Sequence, residues 1–199
     1  MSNLGSLIQA VGAAWAMGSL TASHSMVALV QSSNTLPIMV FSLVSGALAD
    51  NFDRRRIMLT AQVFMFAVSV ALAVVAWGGG LTPWLLLSFT FLIGCGGALF
   101  NPSWQASIGD IVPRDEVPGA VGLNSMGFNL ARSVGPAIGG AIVAAAGVAA
   151  AFAVNAASYV AFIFGIARLP PVERDLSLPR EGVAPAIGAG FRYMVMSPA

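Results

Sequence analysis

Lysine is absent from the 199 residues, histidine and cysteine occur once each, and only 9% of the chain is charged. Each scarcity excludes something. Without lysine there is no Walker A phosphate loop, so ATP hydrolysis by this chain is excluded. A lone cysteine, Cys95, forms neither an intrachain disulfide nor a multi-thiolate metal site. The H-E-x-x-H and G-x-S-x-G patterns of zinc proteases and serine hydrolases are missing too. Enzyme chemistry and a cofactor are therefore not expected. The formal charge of +1 says nothing by itself about partners, and no nucleic-acid partner is expected. Soluble domains carry roughly 25% charged residues. A chain that is 57% hydrophobic, with a mean hydropathy of +0.84, cannot hide so much apolar surface from water. Lipid must be its solvent.

What is present is a succession of apolar runs, at about Leu4–Leu20, Met26–Leu48, Ile57–Trp77, Trp84–Phe100, Gly119–Val143 and Ala150–Ala167. Each approaches the ~20 residues with which a helix crosses a bilayer core. The runs lack the alternation of barrel strands, so six transmembrane helices are expected in an all-α, polytopic membrane protein. The first run has no basic n-region, and "TASHS" is a poor cleavage site, so it counts as a span rather than a signal peptide. Domain boundaries follow: a transmembrane domain over 1–169 and a cytoplasmic linker over 170–199.

All nine basic residues are arginine, and eight of them share one side of this topology. Arg54, Arg55 and Arg56 separate runs two and three, Arg114 separates four and five, and Arg168, Arg174, Arg180 and Arg192 follow run six. The positive-inside rule makes that side, and both chain ends, cytoplasmic. The expected location is the cytoplasmic membrane of a bacterium. Trp77 and Trp84 flank the short loop on the other side, where an aromatic belt would place them.

The loop "GALADNFDRRRIM", Gly46 to Met58, concentrates two aspartates and three arginines between apolar runs. Asp50 ends the second helix, where the helix dipole disfavours a carboxylate by roughly 0.3–1 kcal/mol, so it needs a cation or another helix N-terminus. The segment resembles the loop signature between the second and third helices of the major facilitator superfamily, G-x-L-a-D-[R/K]-x-G-[R/K]-[R/K]. Gly46, Leu48, Asp50, Arg54 and Arg55 match, whereas Asn51 replaces a basic residue and Asp53 a glycine. The Asp-for-Gly variant is familiar in the branch holding the enterobactin exporter and macrolide efflux proteins. The resemblance implies a conformational gate of Gly46, Asp50, Arg54 and Arg55, which latches the two six-helix halves of a twelve-helix transporter.

A second segment, "GLNSMGFNLARSVGPAIGG", is similar to the superfamily's exporter signature on the fifth helix, G-x8-G-x3-G-P-x2-G-G. Gly122, Gly135, Pro136, Gly139 and Gly140 fit, and Ala131 stands where a glycine is usual. Independently of the family, Gly127, Ala131, Gly135 and Gly139 recur every four residues and form a smooth stripe for close helix approach. Pro136 cannot donate to the Arg132 carbonyl, so a bend is expected there. Packing alone explains such a stripe as well as a moving interface does. The resemblance covers the chain as the first half of the superfamily fold, two three-helix inverted repeats. The second, C-terminal six-helix half is then a missing partner, and the chain is read as a fragment or truncated product, with a homodimer as the alternative.

Polar residues inside the runs are candidates for a substrate cavity. Arg132 near the middle of the fifth run would cost roughly 2.5–3.5 kcal/mol in lipid, so it is expected to face a wet cavity or a partner, such as an anionic substrate group or loosened helix carbonyls. Asn129 and Ser125 share its helix face, and Ser6 and Gln9 share one on the first helix. The superfamily's first and fourth helices line the central cavity, which adds Gln9, Thr90 and Asn101. Thr90 occupies the position where proton-linked drug exporters carry an arginine, so proton coupling is not assigned. The expectation is an efflux transporter working by alternating access on a small molecule such as a siderophore or macrolide. A non-transporting assembly or sensory subunit is the alternative.

Overall fold

The computed structural model describes the backbone of residues 2–51 and 53–168, and the side chains of 3–41, 53–109 and 111–168. Among these residues the chain is helical and has no strand: α1 (Ser2–Leu20), α2 (His24–Asn51), α3 (Arg54–Trp77), α4 (Pro83–Ile111) and α5 (Val117–Ala167). The linker expected over 170–199 and the side chains of Gly46 and Asp50 lie outside the described residues.

Local chemistry sets the helix starts. Asp53 caps α3, its carboxylate accepting the Arg55 backbone N–H at 2.9 Å. The aspartate that replaces the signature's glycine is thus an N-cap, a position that favours Asp. Thr82 caps α4 through the Leu85 N–H at 3.3 Å, with Pro83 at the first helical position, where its missing N–H costs nothing.

Among the described residues three helices, α3, α4 (over Pro83–Gly109) and α5, are long and apolar enough to cross a membrane. Two differences from the sequence expectation concern helix length. First, α4 continues to Ile111, well past Phe100 and through Pro102. In the extension Ser103 and Ser107 donate back to the carbonyls of Leu99 and Ser103, and both are buried, so these hydroxyls are satisfied without leaving the helix. Second, the fifth and sixth runs form one assigned helix of 51 residues. At about 1.5 Å per residue a straight rod of that length would measure about 76 Å, more than twice a bilayer core of about 30 Å. It is not straight: Gly147 has φ 80° and ψ 175°, a region essentially reserved for glycine, and it divides α5 into limbs 117–146 and 148–167. By contrast the helix continues through Pro136.

The limbs fold back on each other around α1. Gly135 and Gly139 of the first limb lie against Leu7 and Ile8, so numbering rises along both. Gly12 lies against Ala151 and Phe152 of the second limb, and Gly5 against Asn155 and Ser158, so there the directions oppose. These are close seats: a Cβ on Gly135 would stand 2.9 Å from Leu7 Cβ, and one on Gly139 3.1 Å from Ile8 Cα. Elsewhere α2 packs on α4, α4 on α3, and α3 on the second limb. Gly94 admits the Asn34 carbonyl and Pro37 at the α2–α4 crossing. The main core lies between these helices, with Met17, Met58, Leu72, Leu86, Phe152, Tyr159 and Ile166 all buried. Outward faces of α2 and α5 are apolar instead: Met39, Leu123 and Met126 are each at least 70% exposed. An oily exterior over a packed interior suits a lipid solvent.

Candidate functional site

Two polar regions stand out within this oily frame. The first is an interior knot joining α1, α3 and the second limb of α5. Gln9 Oε1 accepts from Asn155 Nδ2 and, at 3.3 Å, from the Ser69 hydroxyl. Asn155 Nδ2 also reaches Ser69 Oγ at 3.2 Å and the Tyr159 hydroxyl at 3.3 Å. Gln9, Ser69, Asn155 and Tyr159 are all at most 5% exposed. Two turns along α3, Gln62 is fully enclosed, yet its amide nitrogen and oxygen find no partner among the described residues. A buried water is the usual remedy for such a group.

The second region is a groove of about 1020 Å³ toward the arginine end of the bundle. Asn3 and Leu4 of α1, Ile38 of α2, Asn101 and Gln105 of α4, and Asn124 to Ala131 of α5 except Met126, with Val134 and Ile138, contribute to its walls. An aromatic triad holds one wall. Phe100 stacks on Trp104 at 6.1 Å between centroids, and Phe162 meets both edge-on at 5.4 and 5.3 Å. Trp104 Nε1 donates to Asn124 Oδ1 at 3.3 Å, tying α4 to the first limb of α5.

A third arrangement closes the arginine end. Arg54 Nη1 donates to the Ala106 carbonyl of α4 at 3.2 Å, and Arg55 Nη2 to the Ala167 carbonyl of α5 at 2.6 Å. Ala167 ends α5, where free carbonyls and the dipole favour a cation, and Ala106 lies about one turn before the end of α4. Arg56 only meets Asp53 at 3.6 Å in a largely exposed pair. These bonds gather the start of α3 and the ends of α4 and α5 together, so Arg54–Arg56, Arg114 and Arg168 share one end of the bundle. Trp77 and Trp84, 84% and 69% exposed, stand at the other.

The residues singled out in the sequence thus scatter over distinct places. Asn101 and Asn129 line the groove, joined by Ser125. Gln9 does not; it belongs to the interior knot. Thr90 is buried and donates to the Leu86 and Leu87 carbonyls of its own helix, at 2.7 and 2.9 Å. Arg132 is exposed and is not part of the groove wall; its guanidinium sits 5.7 Å over the Phe128 ring. On the signature helix Ala131, Gly135 and Gly139 are buried, whereas Gly122, Gly140 and Pro136 are exposed, with open space beside both glycines. Sequence reasoning missed Ser69, Asn155 and Tyr159. The available signal was their regular placement, Gln62 and Ser69 seven apart and Asn155 and Tyr159 four apart, inside otherwise apolar runs.

Comparison with known proteins decides what this frame is. Residues 1–199 match the family described as transmembrane secretion effector, within the major facilitator superfamily. The chain belongs to that family. Among its relatives, the staphyloferrin A transporter of Staphylococcus aureus is 31% identical, over 71% of this chain and 36% of the relative. The multidrug efflux pump Tap of Mycobacterium tuberculosis is 27% identical, over 98% of this chain and 48% of the relative. Macrolide efflux protein A of Streptococcus pyogenes is 28% identical, over 52% and 25%. This member of the superfamily therefore spans at most about half the length of these relatives. It is a multi-pass membrane protein of a transporter family whose members include efflux proteins.

Proposed function

We propose that this chain forms one six-helix half of a secondary transporter that exports a small molecule by alternating access. The observation that carries this reading is the family match over all 199 residues, to a family with siderophore, multidrug and macrolide transporters among its members. The packing supports two three-helix repeats: exchanging α1 with α4, α2 with the first limb of α5, and α3 with the second limb leaves the set of packed helix pairs unchanged. Each of α1, α2, α3, α4 and the two limbs is then one span. Clustering of arginines at one end supports a cytoplasmic position for that end and for both chain ends.

In this reading the groove is this half's share of the substrate path, entered from the cytoplasm, with Asn101 and Asn129 among its contacts. Rocking of two halves about such a site exposes it alternately to each side. Gly46 and Asp50 act as the gate toward a second half, while Arg54 and Arg55 hold the ends of α4 and α5 so that the gate acts on a rigid body. The Gly122 and Gly140 side of α5, open within this chain, supports contact with that second half.

Everted membrane vesicles containing the protein test the proposal. Energised vesicles are expected to accumulate a radiolabelled macrolide or siderophore, and vesicles with Asp50→Asn to lose most of that accumulation. No energy-dependent accumulation of any tested compound would overturn it. Cysteine labelling from outside intact cells tests the orientation. It should reach a cysteine at position 79 and spare one at position 56.

A further inference from the structure

We infer that the groove between α1, α4 and the first limb of α5 selects an uncharged amphipathic ligand, read by an aromatic face and an opposing set of neutral amides. This rests on the transport reading above and specifies its substrate class. Three observations carry it. Among the described residues of the groove wall none bears a charge, although its volume of about 1020 Å³ is at the upper end of what drug-sized ligands occupy. The polar side chains that line it, Asn3, Asn101, Gln105, Asn124, Ser125 and Asn129, are all neutral, and among the described residues those of Asn101, Gln105 and Asn129 make no hydrogen bond within the protein. They can both donate and accept, which matches hydroxyls, esters and amides but compensates no full charge.

The third observation concerns the nearest cation. Arg132 lies one turn from Asn129, and its guanidinium is held over the ring of Phe128, a wall residue, without lining the groove itself. A carboxylate-rich or catecholate ligand would meet no charge on the groove wall itself, so whatever water it gives up there would be replaced only by neutral groups. A flat apolar body against the triad of Phe100, Trp104 and Phe162 needs no such replacement, and offset or edge-on ring contacts favour it further.

Trp104 offers its own reporter. Trp15, Trp77 and Trp84 are all at least 66% exposed and can be replaced by Phe, leaving Trp104 as the single tryptophan. The protein so altered is placed in nanodiscs of zwitterionic lipid and titrated with N-phenyl-1-naphthylamine and with its 8-sulfonate, which differ only by one negative charge. Tetraphenylphosphonium serves as a cationic competitor. The neutral dye is expected to quench Trp104 saturably, with a half-saturation at least tenfold below that of the sulfonate, and tetraphenylphosphonium should displace it only weakly. Asn129→Ala together with Phe162→Ala should raise the neutral dye's half-saturation about tenfold. Non-saturable quenching alone, from dye in the bilayer, would overturn the inference, as would equal or tighter binding of the sulfonate. A sulfonate preference abolished by Arg132→Gln would place that arginine in the site and overturn it too. The vesicle assay keeps the two readings apart: a protein that exports yet prefers the sulfonate retains the transport function and loses this inference. Saturable, charge-selective binding without any export does the reverse.

Discussion

The interior knot and the groove are built from the same chemistry, neutral amides and hydroxyls beside aromatic rings, yet they do opposite things. In the knot every acceptor that Asn155 Nδ2 reaches comes from α1, α3 or its own helix, so the polar groups meet one another away from lipid and water. In the groove Asn101, Gln105 and Asn129 face open space. The difference is not residue type but closure. A closed amide set joins three helices; an open one is available to a ligand, as the proposed transport requires. Burial therefore separates the enclosed polar residues from those that the transport proposal offers to a ligand, and Gln9 falls among the enclosed.

Substitutions can break that contrast. Asn155→Leu leaves Gln9 Oε1 with the Ser69 hydroxyl alone, at 3.3 Å, and removes the amide that joins α1, α3 and α5; it is expected to destabilise the protein by about 1–3 kcal/mol, visible as a fall in Tm in detergent, whereas Asn129→Ala should change stability by no more than about 0.5 kcal/mol while altering transport. Equal stability losses would erase the distinction. Gly135→Ala sharpens it from another direction, because α1 carries Gln9 into the knot and leans on Gly135. A Cβ there meets Leu7 Cβ at 2.9 Å, and overpacking of this kind costs about 1–3 kcal/mol. Gly140→Ala, with nothing within 4 Å, is the matched control and should leave Tm unchanged in this chain. Arg55→Gln gives a smaller effect, about 0.3–1 kcal/mol, by loosening the 2.6 Å bond to the end of α5 near the mouth of the groove. Raised salt should reduce the difference between Arg55→Gln and the parent.

Much of the frame was legible because lipid simplifies the code. Long apolar runs gave the helices, and one-sided arginines gave an end that the structure assembles through Arg54 and Arg55. Gly135 and Gly139 were readable as a seat for a helix, since a stripe of small residues has few other uses in a membrane. Which helix sits there was not readable: α1 comes from more than 120 residues away, and no local pattern encodes that pairing. The apolar run ending near Phe100 understates α4, because Ser103 and Ser107 bond back to their own helix and let it continue to Ile111. Thr90 and Arg132 show the same limit. Their sequence position is certain, but whether a side chain turns inward, to its own backbone or to a neighbouring ring depends on packing that only three dimensions reveal.

Gln62 is the place where the contrast is least settled, since it is as enclosed as the knot and as unpartnered as the groove. If its amide is simply orphaned, Gln62→Leu removes an unsatisfied donor and acceptor while keeping most of the side-chain volume. Replacing a buried polar group by an apolar one of similar shape is then neutral or stabilising. If instead a water bridges it toward the Ser69 level of the knot, the variant empties a polar cavity next to groups that the water had served, and stability falls by about 1 kcal/mol. Unfolding of the single variant, and of Gln62→Leu combined with Ser69→Ala, separates these cases. Additive effects mean an isolated amide, and a coupling beyond about 0.5 kcal/mol means one extended network. The unpaired atoms favour the first outcome: an unchanged or slightly raised Tm, and no coupling to Ser69.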